Sequence, residues 1–353
     1  MKKKYFILLF AACSFIFFAY KAILLHKEPT YTHYKIGCQI YNLDFELVNA
    51  FNGFDCLFLK NGSIIMAQKD QIDYYTNKNE LIWTKKIDSH HHIQMSNDEL
   101  VLYMLGNDYQ SFRGELTRFD KVVSIDIQSS KVIAEWSSFK HADELESSAG
   151  WIYDKNNQPN SWGNYKEKAK HQFLHFNSIN LIPINKYGYS NHSEMSEGNL
   201  IISAGVSLVL FFNRHLKLLK AVKIDPSQNI DFHDAQVTEH GELLLYRNQF
   251  PEKSRTALQI FDLFSLQLIW QYPPKLSESK MYSGCCGSVQ MIEDQKILFS
   301  DITNGGSVYE IDKTGKITKL YTSTEIDLKT GKPKDIFKVK KVNLKNFFSK
   351  GWN

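Results

Sequence analysis

The sequence predicts an all-β protein, a six-bladed β-propeller of four-stranded blades preceded by an N-terminal membrane-anchor or signal helix. Three observations lead there. Lysines at the start precede an apolar run, a strongly apolar strand pattern recurs along the body, and amphipathicity of helical period is scarce after the first 25 residues. The composition agrees. The 353 residues are 43% hydrophobic and 14% aromatic, with 24 Phe and 18 Tyr against 8 Pro, which excludes collagen-like and disordered chains and favours strands.

The first element is a targeting segment over 1–26. Lys2, Lys3 and Lys4 form a positive head, and Tyr5 to Tyr20 runs apolar with Ser14 as its one clearly polar residue, before Lys21 and then Ala22 to Leu25. A run of this length is just enough to cross a bilayer of roughly 20 residues' thickness and exceeds the usual h-region of about 7–15 residues. An uncleaved signal-anchor is therefore favoured over a cleaved signal peptide. The leading positive charge predicts a body outside the cytoplasm, periplasmic or at the cell surface, held to the membrane by this segment or secreted.

Residues 27–50 read as a stalk with the first outer strands, and 51–325 as the propeller body. Within the body, apolar second strands recur as Gly62-Ser-Ile-Ile-Met-Ala, Glu99-Leu-Val-Leu-Tyr-Met, Asn199-Leu-Ile-Ile-Ser-Ala, Glu242-Leu-Leu-Leu-Tyr-Arg and Lys296-Ile-Leu-Phe-Ser-Asp. Alternating third strands follow, as in Gly306-Ser-Val-Tyr-Glu-Ile-Asp, and most units end in a strand carrying an aromatic, at Trp83, Trp136, Trp270 or Tyr321. Five units are thus explicit between Phe51 and Tyr321, and strands at Tyr31–Leu47 with others in the tail can build a sixth. Four-stranded sheets repeated radially make a propeller; the alternative is a pair of β-sandwiches. Lys140 to Lys170 is polar and irregular, an insertion of the kind that covers one face of a scaffold.

The tail, 326–353, carries eight lysines and one acid, Asp335, between Lys329 and Lys350. Such a run is ordinarily a solvated end. Because both chain ends are basic, the overall charge of +4 hides a body that is net acidic, a poor footprint for nucleic acid. Of five cysteines, Cys13 falls in the targeting segment. Cys38 with Cys56 is a plausible staple, whereas Cys285 and Cys286 could pair with each other or with different partners. The sequence holds no CxxC pair or Cys/His ladder, so neither a metal nor another cofactor is expected.

Histidines carry the chemistry. His233 stands nine residues before Glu242 and His90 nine before Glu99, which suggests one blade position; His175 opens another first strand. Equivalent positions on innermost strands converge at the mouth of the central channel. A single histidine at a strand start is more often a core or surface group than a catalyst, and His90, His91 and His92 alternate in a strand. Three histidines in register argue more strongly for a shared pocket. His141, His171, His192, His215 and His240 fall in connections, and His26 and His33 in the stalk.

Phe232-His-Asp-Ala-Gln-Val-Thr-Glu-His-Gly-Glu-Leu-Leu-Leu-Tyr-Arg-Asn, His175-Phe-Asn-Ser-Ile with Leu200-Ile-Ile-Ser-Ala, Ala134-Glu-Trp136 and Gly287-Ser-Val-Gln-Met-Ile resemble the arylsulfotransferase family over about residues 50 to 320. The resemblance implies a six-bladed propeller that moves sulfuryl groups between phenols without a nucleotide donor. It implies that His233 matches the histidine that becomes transiently sulfated, that His175 is a second active-site histidine, and that His90 or His91 is a third. Asn177 and Arg247 become candidates for substrate binding. An aryl sulfate and a phenol are the implied partners, and protein partners are not legible.

One departure matters. The family pattern places an arginine after Ile-Ser-Ser/Ala, and here Ile202-Ser203-Ala204 is followed by Gly205. Losing an electrostatic donor of that kind typically costs about 10²–10³ in rate. Arg247, near the corresponding strand end one unit later, is the substitute that the sequence offers. The alternative function is a binding or scaffold propeller at the cell envelope that recognises an anion or a protein without chemistry.

Overall fold

Why the apolar second strands recur is plain in the computed structural model: each is sandwiched between two other strands of its own blade and covered by a neighbouring blade on either face. The structure describes residues 31–150, 153, 169, 171–188, 192–225, 230–248, 256–281, 283, 286–293, 296–302, 306–325 and 336–348. The N-terminal targeting segment, most of the Lys140–Lys170 insertion and Cys285 lie outside these. Among the described residues no helix is long and apolar enough to cross a membrane.

The first blade holds β1 (His33–Ile36), β2 (Gln39–Tyr41) and β3 (Leu47–Ala50). The second holds β4 (Asp55–Phe58), β5 (Ile64–Ala67), β6 (Gln71–Tyr75) and β7 (Leu81–Lys86). The third holds β8 (Ser89–Met95), β9 (Val101–Phe112), β10 (Glu115–Asp126) and β11 (Val132–Ser137), and after α1 (Ala142–Ser148) a short β12 (His171–Gln172) joins it. The fourth holds β13 (Phe176–Leu181), β14 (Leu200–Ala204), β15 (Leu208–Phe212) and β16 (Leu218–Lys223). The fifth holds β17 (Asp231–Val237), β18 (Glu242–Asn248), β19 (Ala257–Asp262) and β20 (Leu268–Tyr272). The sixth holds β21 (Ser288–Glu293), β22 (Lys296–Asp301), β23 (Ser307–Asp312) and β24 (Ile317–Thr322), and the chain returns to the first blade with β25 (Val339–Val342) before α2 (Lys345–Phe348). The protein is an all-β six-bladed propeller.

Each blade is an antiparallel meander, and the buried apolar side chains fall into six clusters, one at each junction between neighbouring blades. The repeat extends to its polar details. The indoles of Trp83 and Trp270, on the outermost strands of two blades, donate to the carbonyls of Ile127 and Lys313 in the next blade.

The first blade is assembled from both chain ends, in the order β25-β1-β2-β3. This corrects the reading of the lysine-rich tail as a solvated end. Lys338 and Lys340, at and just before the closing strand, turn inward, because other blades supply acids as their partners. Nζ of Lys338 lies 3.2 Å from Oδ2 of Asp55, whose Oδ1 is 2.6 Å from Nζ of Lys35. Nζ of Lys340 lies 3.3 Å from Oδ2 of Asp234 on the fifth blade. Cys38 is bonded to Cys56, which ties the first blade to the head of the second.

Asp55 is 1% exposed and sits between two lysines that are 5% and 9% exposed. Removing its carboxylate strands two buried cations, and breaking a buried pair from one side costs about 3–5 kcal/mol. Asp55→Ala is therefore expected to lower the urea unfolding free energy by that order. A change below about 1 kcal/mol, the range of an exposed pair, would show that the ring does not depend on this junction.

Candidate active site

The first strands of three blades are irregular at or near their histidines. Register slips over 90–92 between β8 and β9, at Asn177 between β13 and β14, and at His233 between β17 and β18. A bulged residue leaves the ladder and re-aims its side chain. His91 also adopts a left-handed backbone, with φ of 57°, uncommon for a residue other than glycine. The result is convergence: the His91 ring centroid is 4.9 Å from that of His90, 4.8 Å from that of His175 and 6.3 Å from that of His233.

Equal spacing before Glu99 and Glu242 does not make His90 and His233 equivalent. His233 is the bulged residue of β17, and its counterpart in β13 is Asn177, with His175 two residues earlier. Bulges add residues without adding rungs, so a count along the sequence slips against the sheet. The histidines meet through blade geometry rather than through identical register. Burial and the charges of Lys338, His91, Lys340 and Lys35 hold His92 well below the ordinary imidazole value.

Tautomers follow from the hydrogen bonds. Asn248 donates through Nδ2 to the carbonyls of Ser283 and Cys286, at 2.8 and 3.0 Å, which fixes its amide with Oδ1 facing His233. That oxygen is 2.9 Å from Nδ1 of His233. His233 thus carries its proton on Nδ1, with Oδ2 of Asp231 at 3.4 Å reinforcing it, and keeps a lone pair on Nε2. Gln172 donates to Nδ1 of His175 at 2.5 Å, so His175 presents an Nε2–H, and this group is 2.9 Å from Nε2 of His91.

Burial holds the cluster neutral. Desolvation pushes His90, His91 and His175 well below the ordinary imidazole value, and the charge of Arg118 pushes each further the same way. His233 is lowered by burial too, partly offset by Asp231 and Asn248.

Two residues here have no counterpart in the motif reading. β9 and β10 are twelve residues each, and β12 pairs in parallel with the start of β10, setting Arg118 opposite Gln172. Alternation along β10 sends Arg118 and Asp120 to one face. Phe119, on the other, stacks 4.8 Å from Phe173. Nη2 of Arg118 is 3.2 Å from Oδ1 of Asp120, and Nε2 of His90 is 3.0 Å from the same oxygen. The sequence signal for the pair is two opposite charges spaced i, i+2 on either side of Phe119, in a strand that also carries Glu115, Lys121 and Asp126.

The other candidates are placed as follows. Asn177 is buried and donates to Oδ1 of Asp231 at 2.6 Å and to the carbonyl of Phe232 at 3.1 Å, so it braces the strand that carries His233. Arg247 stands across the ladder from Phe232, one residue from His233, buried and in the field of Asp225. Gly205 donates its N–H to the carbonyl of His175 at 2.7 Å. Among the described residues no group of His, Cys, Asp and Glu is arranged to hold a metal ion.

A model of the family described as Arylsulfotransferase (ASST) matches residues 56–323, most of the propeller and both histidine motifs. The chain belongs to the arylsulfotransferase family. No curated protein matches this arylsulfotransferase-family chain. Among solved structures it is similar to a protein of unknown function from Bacteroides caccae, at 12% identity over 82% of this chain and 93% of that one, with a TM-score of 0.47. It is also similar to the dihydro-heme d1 dehydrogenase NirN, at 12% identity over 83% and 56% with a TM-score of 0.44. A third similarity is to the Pan2 WD40 domain of Neurospora crassa, at 9% identity over 85% and 81% with a TM-score of 0.41. Likenesses this distant carry no argument about the site.

The Asn248 bond makes a spectroscopic prediction. Nitrogen-15 spectra of histidine-labelled protein at neutral pH are expected to give His233 as the Nδ1–H tautomer, and Asn248→Ala to convert it to a mixture. An unchanged tautomer in the variant would mean that Asn248 does not set it.

Proposed function

We propose that this arylsulfotransferase-family propeller moves a sulfuryl group from an aryl sulfate to a phenol through a sulfo-histidine at His233, without a nucleotide donor. The observation that carries the reading is the Nε2 lone pair of His233, directed by the Asn248 bond and kept unprotonated in a desolvated cluster. A neutral imidazole is a nucleophile that divides one hard transfer into two easier ones.

In the first step Nε2 attacks sulfur as the bond from sulfur to the aryl oxygen breaks, and the phenolate leaves with that electron pair. In the second the acceptor oxygen attacks sulfur, the Nε2–S bond breaks, and the lone pair returns to His233. The acceptor's proton goes to the phenolate released first, with the neighbouring imidazoles as carriers. The sum is one aryl sulfate and one phenol exchanged for the other phenol and aryl sulfate. His175, once its Nε2–H turns from Nε2 of His91, is suited to donate to a sulfuryl oxygen or to the departing phenolate.

We place this reaction outside the cytoplasm, on the N-terminal charge pattern and apolar run alone. Gly205 is the feature that favours the second reading, an anion-binding propeller without transfer.

Mixing the protein with 4-nitrophenyl sulfate and a phenol is expected to release nitrophenolate, and His233→Ala to reduce the rate by at least about 10³-fold with the circular dichroism spectrum unchanged. Full activity in that variant removes His233 as nucleophile, and no release from the unmodified protein leaves the binding reading. Burial also fixes the acid limb. Because His233 titrates below the ordinary imidazole value, kcat/KM is expected to hold down to a pH under that value before falling as His233 gains a proton. An acid limb above it contradicts the assignment.

A further inference from the structure

The cation that this site lacks at position 205 is met by one from another blade. Arg118 is 0% exposed and lies behind the histidines, close enough that its charge acts on His90, His91 and His175 together. Its guanidinium also faces Asp120, likewise 0% exposed, whose Oδ1 accepts from Nη2 of Arg118 at 3.2 Å and lies 3.0 Å from Nε2 of His90 without hydrogen-bond geometry, and which accepts the backbone N–H of Phe176. Oδ2 of Asp120 has no hydrogen-bond partner among the described residues. An ionised carboxylate there cancels the guanidinium, and a neutral one leaves Arg118 acting on whatever lies among the histidines.

We propose that Arg118 supplies the cation that holds a sulfate-type anion among the histidines, and that Asp120, with His90, masks it: the carboxylate takes up one proton from solvent when the anion binds and releases it when the anion leaves. No electrons move, and the balance is one carboxylate, one proton and one anion going to one carboxylic acid with the anion bound. The inference rests on the reading of the histidine mouth as an anion site. Arg118 and Asp120 are positioning residues, acting through the imidazoles rather than by touching the reacting atoms.

Burial supports the mask. Desolvation raises the Asp120 carboxyl to about 7, with Arg118 and the Phe176 N–H opposing, so its proton is exchangeable near neutrality. The charged and titratable groups around the pair are few. Arg118 is on its own strand, and His90 faces it from β8 with Asp88 beyond. His175 precedes β13, where Phe176 donates, and β12 contributes His171, which is taken up by Glu115. Lys121, the neighbour on β10, is paired with Glu135 of β11. Burial holds His90, His91 and His175 well below the ordinary imidazole value and His233 below it, whereas the same burial raises Asp120, so Asp120 is the group that a binding anion first recharges.

The test is calorimetric titration of the full protein with 4-nitrobenzenesulfonate, whose carbon–sulfur bond cannot be transferred, from pH 6 to 9 and in two buffers of different ionisation enthalpy. The association constant is expected to fall by up to about tenfold per pH unit above neutrality, with close to one proton taken up per anion. Asp120→Asn is expected to bind with no such slope. Arg118→Met is expected to bind at least about tenfold more weakly at low pH, with Arg118→Lys recovering part of the loss. Thermal unfolding of each variant checks its fold, and the near-isosteric Asp120→Asn decides the matter if Arg118→Met does not fold. A pH-independent affinity in the unmodified protein, the same slope in Asp120→Asn, or no binding overturns the inference. Nitrophenolate release with a flat titration leaves the transferase reading standing without the mask. A proton-linked titration without any release leaves the mask standing and removes the transfer.

Discussion

The site depends on one constraint: first strands whose ladders are interrupted where the histidines meet. A continuous ladder would alternate His90, His91 and His92 across the sheet and turn part of the set into the blades. The slip at 90–92 and the left-handed backbone of His91 bring that ring to the centre of the group, and the single-residue bulges at Asn177 and His233 shape the two neighbouring strands. Strained or interrupted backbone of this kind persists where the surroundings over-determine it. Here the surroundings are the blade junctions, each packed with its own apolar cluster, and the closing strand that completes the ring from the far end of the chain.

Electrostatics follows from that convergence. Imidazoles brought together behind a common burial cannot all be charged, and Arg118 behind them enforces neutrality. A neutral cluster suits a nucleophile, while it leaves little positive charge facing outward for an anionic substrate. The tension is met one layer back, by a guanidinium whose own partner is a carboxylate that burial disposes to be neutral. On this account the tight hairpin of β9 and β10 and the short β12 are what bring Arg118, Asp120 and Gln172 to the mouth.

Much of the fold is legible in the sequence because the second strand of each blade is buried on both faces and so reads as a continuous apolar run, from Ile64 to Phe299. The first blade is harder, since its strands sit at opposite ends of the chain and its lysines look like a solvated tail. Only the positions of Asp55 and Asp234 on other blades reveal that Lys338 and Lys340 are partners. The four histidines are legible by motif, whereas their relative register is not, because a bulge leaves no mark in composition. Arg118 and Asp120 stay hidden for a related reason: charges at alternate positions of a strand ordinarily mark a face turned to water, and it takes the overrun of β9 and β10 to bury them.

In the proposed transfer, Nε2 of His233 is the atom that carries the sulfuryl group. This assignment is tested most directly by mixing the protein with an aryl sulfate in the absence of acceptor, quenching rapidly under basic conditions that spare an N–S bond, and locating any added mass by peptide sequencing. One sulfuryl group per chain is expected, on the peptide containing Phe232, His233 and Asp234, and it is expected to disappear when a phenol is added before the quench. A sulfuryl group on His90, His91 or His175 instead, or transfer between phenols with no labelled peptide under these conditions, would contradict the assignment.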